Sequence, residues 1–163
     1  MASDIFAKIG DIKGESTDKQ HPGAIELLSF SWGETQTGAH AFGGGAGAGK
    51  VSFQDFHFTT KTSLASPQLM LACASGKHIP TAQITMRKAG GESQGGFEFL
   101  FIKMTDVLVS SFQEAGSNAE DLPTEAVSLA FAKVDVQYKE QKPDGRVGAI
   151  SMFGWDLKAN RRV

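Results

Sequence analysis

Cysteine is almost missing from this chain: Cys73 stands alone, so no internal disulfide can form and stability must come from a packed core. Proline occurs only five times in 163 residues, which excludes a stiff proline-rich linker. No apolar run approaches the roughly 20 residues needed to cross a bilayer, so the sequence predicts no membrane insertion. Charge of either sign is not in excess: the formal net charge is -2 and the pI is near 6.1, which gives no general attraction to nucleic acid or anionic lipid. In "MASDIFAKIGD", Asp4 stands where a signal peptide carries positive charge and Lys8 interrupts the apolar stretch, so the start predicts no cleavable export signal.

What the chain does have is glycine, 19 residues, and phenylalanine, 12 residues, set in alternating segments. In "IELLSFSWG", alternation puts Leu28, Phe30 and Trp32 in the core and leaves Ser29 and Ser31 on the other, small and polar face. "VSFQDFHFTT" moves its aromatics from Phe53 to Phe56 and Phe58, which predicts a bulge or bend near Gln54 and Asp55. "VSLAFAKVDVQY" changes parity in the same way, from Val127, Leu129 and Phe131 to Val134, Val136 and Tyr138. Strands bent this strongly suit a closed barrel. The chain is read as one domain, 1–163, with no internal repeat.

"GFEFLFIKMTDVLVSS" is apolar on both faces, with Phe97, Phe99 and Phe101 on one and Leu100, Ile102 and Met104 on the other. A strand so covered in so small a domain predicts contact with another subunit, with Phe97, Phe99, Phe101, Leu100 and Ile102 as candidates. One helix is predicted in "SPQLMLACASG", with Ser66 as N-cap, Pro67 at the first helical position and Gly76 closing the end. Leu69, Ala72 and Cys73 then share the face that packs on the barrel.

"GGGAGAGKVS" imitates a phosphate-binding loop, with Gly44, Gly49 and Lys50 at the required spacing. Val51 stands where magnesium needs a hydroxyl, and a strand pattern follows where a helix is required. The segment therefore reads as a long, pliable interstrand loop rather than a nucleotide site. His21, His40, His57 and His78 show no metal-ligand spacing. Asp55 and His57 could imitate two members of a triad, but no serine lies on a nucleophile elbow. The residues predict no catalytic group, no metal and no cofactor.

Eight segments in order resemble the Hcp (haemolysin-coregulated) proteins of the bacterial type VI secretion system: "IGDIKGEST", "SFSWG", the glycine loop, "SPQLMLACASGKH", "RKAGG", "DVLVSS", "YKEQKPDG" and "GWDLKAN". The resemblance implies a mainly β fold, a closed antiparallel β-barrel with one short helix on its side and a long glycine-rich loop. It implies a structural tube subunit rather than an enzyme. Six copies would form a ring, rings would stack into a tube inside a contractile sheath, and effectors would travel in the lumen. The implied partners are other copies, the spike, sheath and baseplate proteins and secreted effectors, with assembly in the bacterial cytoplasm and expulsion through the apparatus.

By the same resemblance Ala41, Phe42, Gly43, Gly44, Gly45, Ala46, Gly47, Ala48, Gly49 and Lys50 form the loop that reaches a neighbouring ring. The "SFSWG" strand, with Ser29 and Ser31, contributes to the lumen. The rival readings are a monomeric β-barrel adaptor or chaperone for secreted proteins, and a small barrel enzyme with the glycine loop over its site.

Overall fold

The computed structural model describes residues 3–36, 49–89 and 95–163. Its elements run β1 (Ser3–Ile9), β2 (Ile25–Ser31), β3 (Glu34–Thr35), β4 (Ser52–Phe53), β5 (Phe56–Lys61), α1 (Ala65–Ser75), β6 (His78–Lys88), β7 (Phe97–Ala115), β8 (Thr124–Gln141), β9 (Val147–Asp156) and β10 (Arg161–Arg162). The main sheet runs β8–β5–β2–β1–β6–β7, and β7 pairs back onto β8, so six antiparallel strands close a barrel. The expected barrel with one helix is borne out. No helix among the described residues is long and apolar enough to cross a membrane.

The parity change in β8 marks a change of neighbour. Its first half pairs with β5, ending where Phe56 faces Leu129, and its second half pairs with β9 from Lys133 opposite Asp156 onward. Leu129 and Val134, on opposite parities, are both fully buried. Strand β7 turns at the same level: Met104 and Val107 are both buried, and Asp106 between them holds a left-handed φ of 55°. Two long strands thus bend together and let β9 and β10 extend the sheet beyond the barrel.

Two other irregularities decide which side chains face inward. The β2–β5 ladder shifts register between Leu27 and Ser29, so Leu28 is the extra residue. Leu27 takes the core place at 7% exposure while Leu28 is 55% exposed, which corrects the alternation expected for Leu28. Phe30 and Trp32, beyond the bulge, pack against the core as expected. The β6–β7 ladder shifts between Met86 and Arg87, with Phe99 as the extra residue on β7. Phe97 before it and Ile102 after it are therefore both interior, at 2% and 1% exposure, and offer nothing to a neighbouring copy. Phe99 and Phe101 remain half-buried on the outer side, each under a lysine ammonium: Lys88 Nζ is 5.2 Å from the Phe99 ring and Lys139 Nζ is 4.9 Å from the Phe101 ring.

The break predicted near Gln54 and Asp55 is present: β4 ends at Phe53, β5 begins at Phe56, and β4 pairs with β3 as a separate ribbon. The helix starts earlier than its sequence suggests. Ser63, not Ser66, supplies the leading hydroxyl, accepting from the Ala65 N–H at 3.2 Å, while the Ser66 hydroxyl accepts from the Ser63 N–H at 2.9 Å. The two serines thus act reciprocally, as in a capping box, and Ser66 is buried in the first turn. At the other end Gly76 adopts φ 64° and its N–H reaches the Ala72 and Cys73 carbonyls, the expected left-handed stop. Leu69 and Ala72 are buried against the barrel.

Candidate binding face

Four tripeptides far apart in the chain have one pattern: "SFS" at 29–31, "HFT" at 57–59, "SFQ" at 111–113 and "AVS" at 126–128. Each places an apolar residue between two small or polar ones, and the fold sets the four side by side on β2, β5, β8 and β7. The middle residues form one inward row, since Phe30 faces Phe58, Phe58 faces Val127 and Val127 faces Phe112. All four belong to the core or pack against it.

The flanking residues must then point outward, and they too fall in rows. Ser31 faces His57, His57 faces Ser128 and Ser128 faces Ser111. In the second row Ser29 faces Thr59, Thr59 faces Ala126 and Ala126 faces Gln113. The hydroxyls of Ser29 and Thr59 lie 2.6 Å apart, and His57 Nδ1 lies 2.6 Å from Ser128 Oγ. Together they line an open depression of about 340 Å³.

Neither row contains a carboxylate, ammonium or guanidinium group. The charges near the face lie at its borders and are largely engaged: Asp55 accepts from the Ser110 hydroxyl at 2.6 Å, and Lys61 meets Glu120 at 3.0 Å. Ser29 and Ser31 are exposed here. The sequence reading missed His57, Thr59, Ser111, Gln113 and Ser128 as members of the same face. The shared polar–apolar–polar pattern was the available signal, but nothing local says that these four segments are neighbours.

Among the described residues, which do not include His40, the fold does not gather the triad or metal candidates of the sequence into one site. Asp55 and His57 have different partners, Ser110 and Ser128. His21 stacks on Phe6 at 4.4 Å and pairs with Glu98 at 2.6 Å, and His78 pairs with Asp106 at 3.1 Å. The carboxyl of Asp106 is held below the ordinary carboxylate range by its hydrogen bonds from Lys158 and His78. Among the described residues no three histidine, cysteine or acidic side chains cluster as metal ligands would. Of the glycine loop, only Gly49 and Lys50 lie within the described residues, with Ala41 to Ala48 outside them. Strand β4, not a helix, follows Lys50 and Val51.

A second surface lies on the outer side of β7, β8 and β9. Phe101, Met152, Phe153 and Val163 border a depression of about 410 Å³, and Met152 is 73% exposed. Tyr138 and Ile150 are also exposed on these strands.

The sequence model of the family described as "Type VI secretion system effector, Hcp" matches residues 6–138. The chain is 51% identical to "Protein hcp1" of Pseudomonas aeruginosa over 161 residues, 98% of either protein. The chain belongs to the Hcp family. Solved Hcp structures share its fold over the whole length: Hcp1 from Salmonella typhimurium is 38% identical with a TM-score of 0.82, covering 100% of both chains. The solved structure of a type six secretion system protein is 30% identical with a TM-score of 0.91, covering 99% of this chain and 100% of its own. The Hcp family is one of type VI secretion proteins rather than of enzymes.

Proposed function

We propose that this Hcp protein is a structural tube subunit: six copies close into a ring, rings stack, and secreted effectors are carried against the uncharged face that holds Ser29 and Ser31. The observation that carries the reading is the two-row neutral face, with a separate surface elsewhere on the barrel that mixes exposed apolar groups, Phe101, Met152 and Phe153, with the charged Lys103, Asp135 and Arg162. One surface is suited to subunit contact and the other to reversible contact with a passenger. Head-to-tail contacts between unlike surfaces close into rings when the rotation permits. Phe99, Leu100 and Phe101 are the remaining candidates for that contact. The partners are the spike, sheath and baseplate of the secretion apparatus, with assembly in the cytoplasm before expulsion.

Ala41 to Lys50 would reach from ring to ring. Ordering each loop residue loses roughly 1 to 2 kcal/mol of backbone entropy, so one loop binds weakly, but all copies in a ring engage together. Replacing Gly43 to Gly49 by a two-residue turn should leave the ring intact while abolishing tubes and secretion, as read by light scattering and negative-stain imaging. A shortened-loop variant that runs as a monomer would assign the loop to ring closure instead. A wild-type protein that is monomeric at all concentrations would favour the adaptor reading.

A further inference from the structure

Thr62, which follows β5, and Pro123, which precedes β8, bring oxygen atoms to the end of the barrel where α1 starts. The Thr62 hydroxyl lies 3.1 Å from Glu114 Oε2 on β7 and 3.3 Å from the Pro123 carbonyl oxygen, and with a single hydrogen it can donate to only one of them. Glu125 faces Glu114 across the β7–β8 ladder, and beside it stand the hydroxyls of Thr62 and of Ser66 in the first turn of α1. Glu125 is 0% exposed, and among the described residues neither of its carboxyl oxygens makes a hydrogen bond of good geometry. Glu114 is exposed, so the cluster is reached from solvent on its side.

Among the described residues neither Glu114 nor Glu125 takes part in an ion pair. The Lys61 ammonium of β5 is bound to Glu120 at 3.0 Å and to the Thr124 hydroxyl at 3.1 Å. Glu15 adds a further carboxylate, which accepts the Leu64 N–H at 3.0 Å. A buried carboxylate without a counter-charge is costly. Carboxylate, hydroxyl and carbonyl oxygens, with no nitrogen or sulfur among them, are the ligand set of a hard cation. Magnesium demands near-regular octahedral geometry and keeps several waters, whereas calcium accepts an irregular set that mixes carboxylates with neutral oxygens. The two carboxylates of the pair balance the two charges of calcium.

We propose that Glu125 and Glu114, with the hydroxyls of Thr62 and Ser66 and the Pro123 carbonyl, form a calcium site that ties the start of α1 to the β7–β8 end of the barrel. The orphaned, fully buried carboxyl of Glu125 is the observation that points to a ligand. With only two carboxylates the site is weak, in the range of about 0.1 to 1 mM of the weaker calcium modules. The inference does not rest on the tube reading.

The test uses the purified full-length protein, stripped with EDTA, at about pH 8, where few protons compete for carboxylates. CaCl2 is titrated by calorimetry and by thermal melts, with MgCl2 as the rival ion and NaCl as the control for ionic strength. CaCl2 should give saturable heat, and at about ten times Kd it should lower the unfolding constant about tenfold. MgCl2 should act more weakly and NaCl not at all. Glu125→Gln should remove the calcium response, and Glu114→Gln, at an exposed position that leaves the core undisturbed, should weaken it. Asp121→Asn, in the acidic loop before β8, should bind calcium as wild type does, which separates a built site from general attraction to acidic surface. Absence of saturable heat from wild type would overturn the site and leave the pair to a shared proton. Calcium binding unchanged in Glu125→Gln or in Glu114→Gln would place the ion elsewhere and overturn it equally.

Discussion

Glu125 lies directly opposite Glu114 in the β7–β8 ladder, and its side chain is 0% exposed. Among the described residues neither carboxyl oxygen of Glu125 makes a hydrogen bond of good geometry, although the hydroxyls of Thr62, before α1, and Ser66, in its first turn, stand close by. Burial raises its pKa; the Ser66 and Thr62 hydroxyls oppose the rise and the Glu114 carboxylate adds to it. A carboxyl with a raised folded-state pKa binds more protons folded than unfolded, so its contribution is complete in acid and is lost as pH climbs through the folded value.

Glu125→Gln should therefore leave stability near pH 4 little changed and raise it in alkali, by about 1 to 3 kcal/mol, the usual cost of a buried unsatisfied polar group. Urea unfolding across pH reads the slope directly. A variant whose stability tracks wild type at every pH would show that Glu125 carries no such burden.

The opposite sign applies to Asp18. Arg87 donates to both of its oxygens, at 2.6 and 3.1 Å, and also to Asp4 at 2.9 Å. The hydrogen bond from Arg87 lowers the Asp18 pKa to about 2, assisted by the Gln20 N–H. Its stabilisation is present above the ordinary aspartate range and fades as pH falls toward about 2. Asp18→Asn should cost about 1 to 2 kcal/mol at pH 7, with the gap closing in acid; a gap independent of pH would assign the loss to packing.

Leu27 and Leu28 offer a test of the β2 bulge. Leu27→Ala should destabilise by about 2 to 5 kcal/mol as a core truncation, while Leu28→Ala should stay within about 0.5 kcal/mol. Thermal or urea melts that ranked them the other way would place the bulge elsewhere.

Nucleotide binding is expected to be absent. With Val51 in place of a magnesium-binding hydroxyl and β4 in place of a helix, titration with Mg-ATP should give no saturable heat. A micromolar affinity abolished by Lys50→Ala would contradict this.

Alternation and capping residues were enough to read the strands, the short helix with its buried Leu69 and Ala72, and the break before Phe56. Each depends on neighbours a few residues apart, and local sterics and burial act at that range. The order of motifs was enough to read the Hcp resemblance. The facing of Leu28, Phe97 and Ile102 was not available in this way, because one extra residue in a ladder inverts every side chain beyond it and the bulge arises from pairing with another strand. Nor could "HFT" and "SFQ" be joined to "SFS" before the barrel closed: Ser31, His57, Ser128 and Ser111 are neighbours only through three strand pairings. The sequence by itself determined which residues are inward or outward within each regular stretch; the tertiary structure decided which stretches meet, since register across a barrel is set by the packing of the whole core.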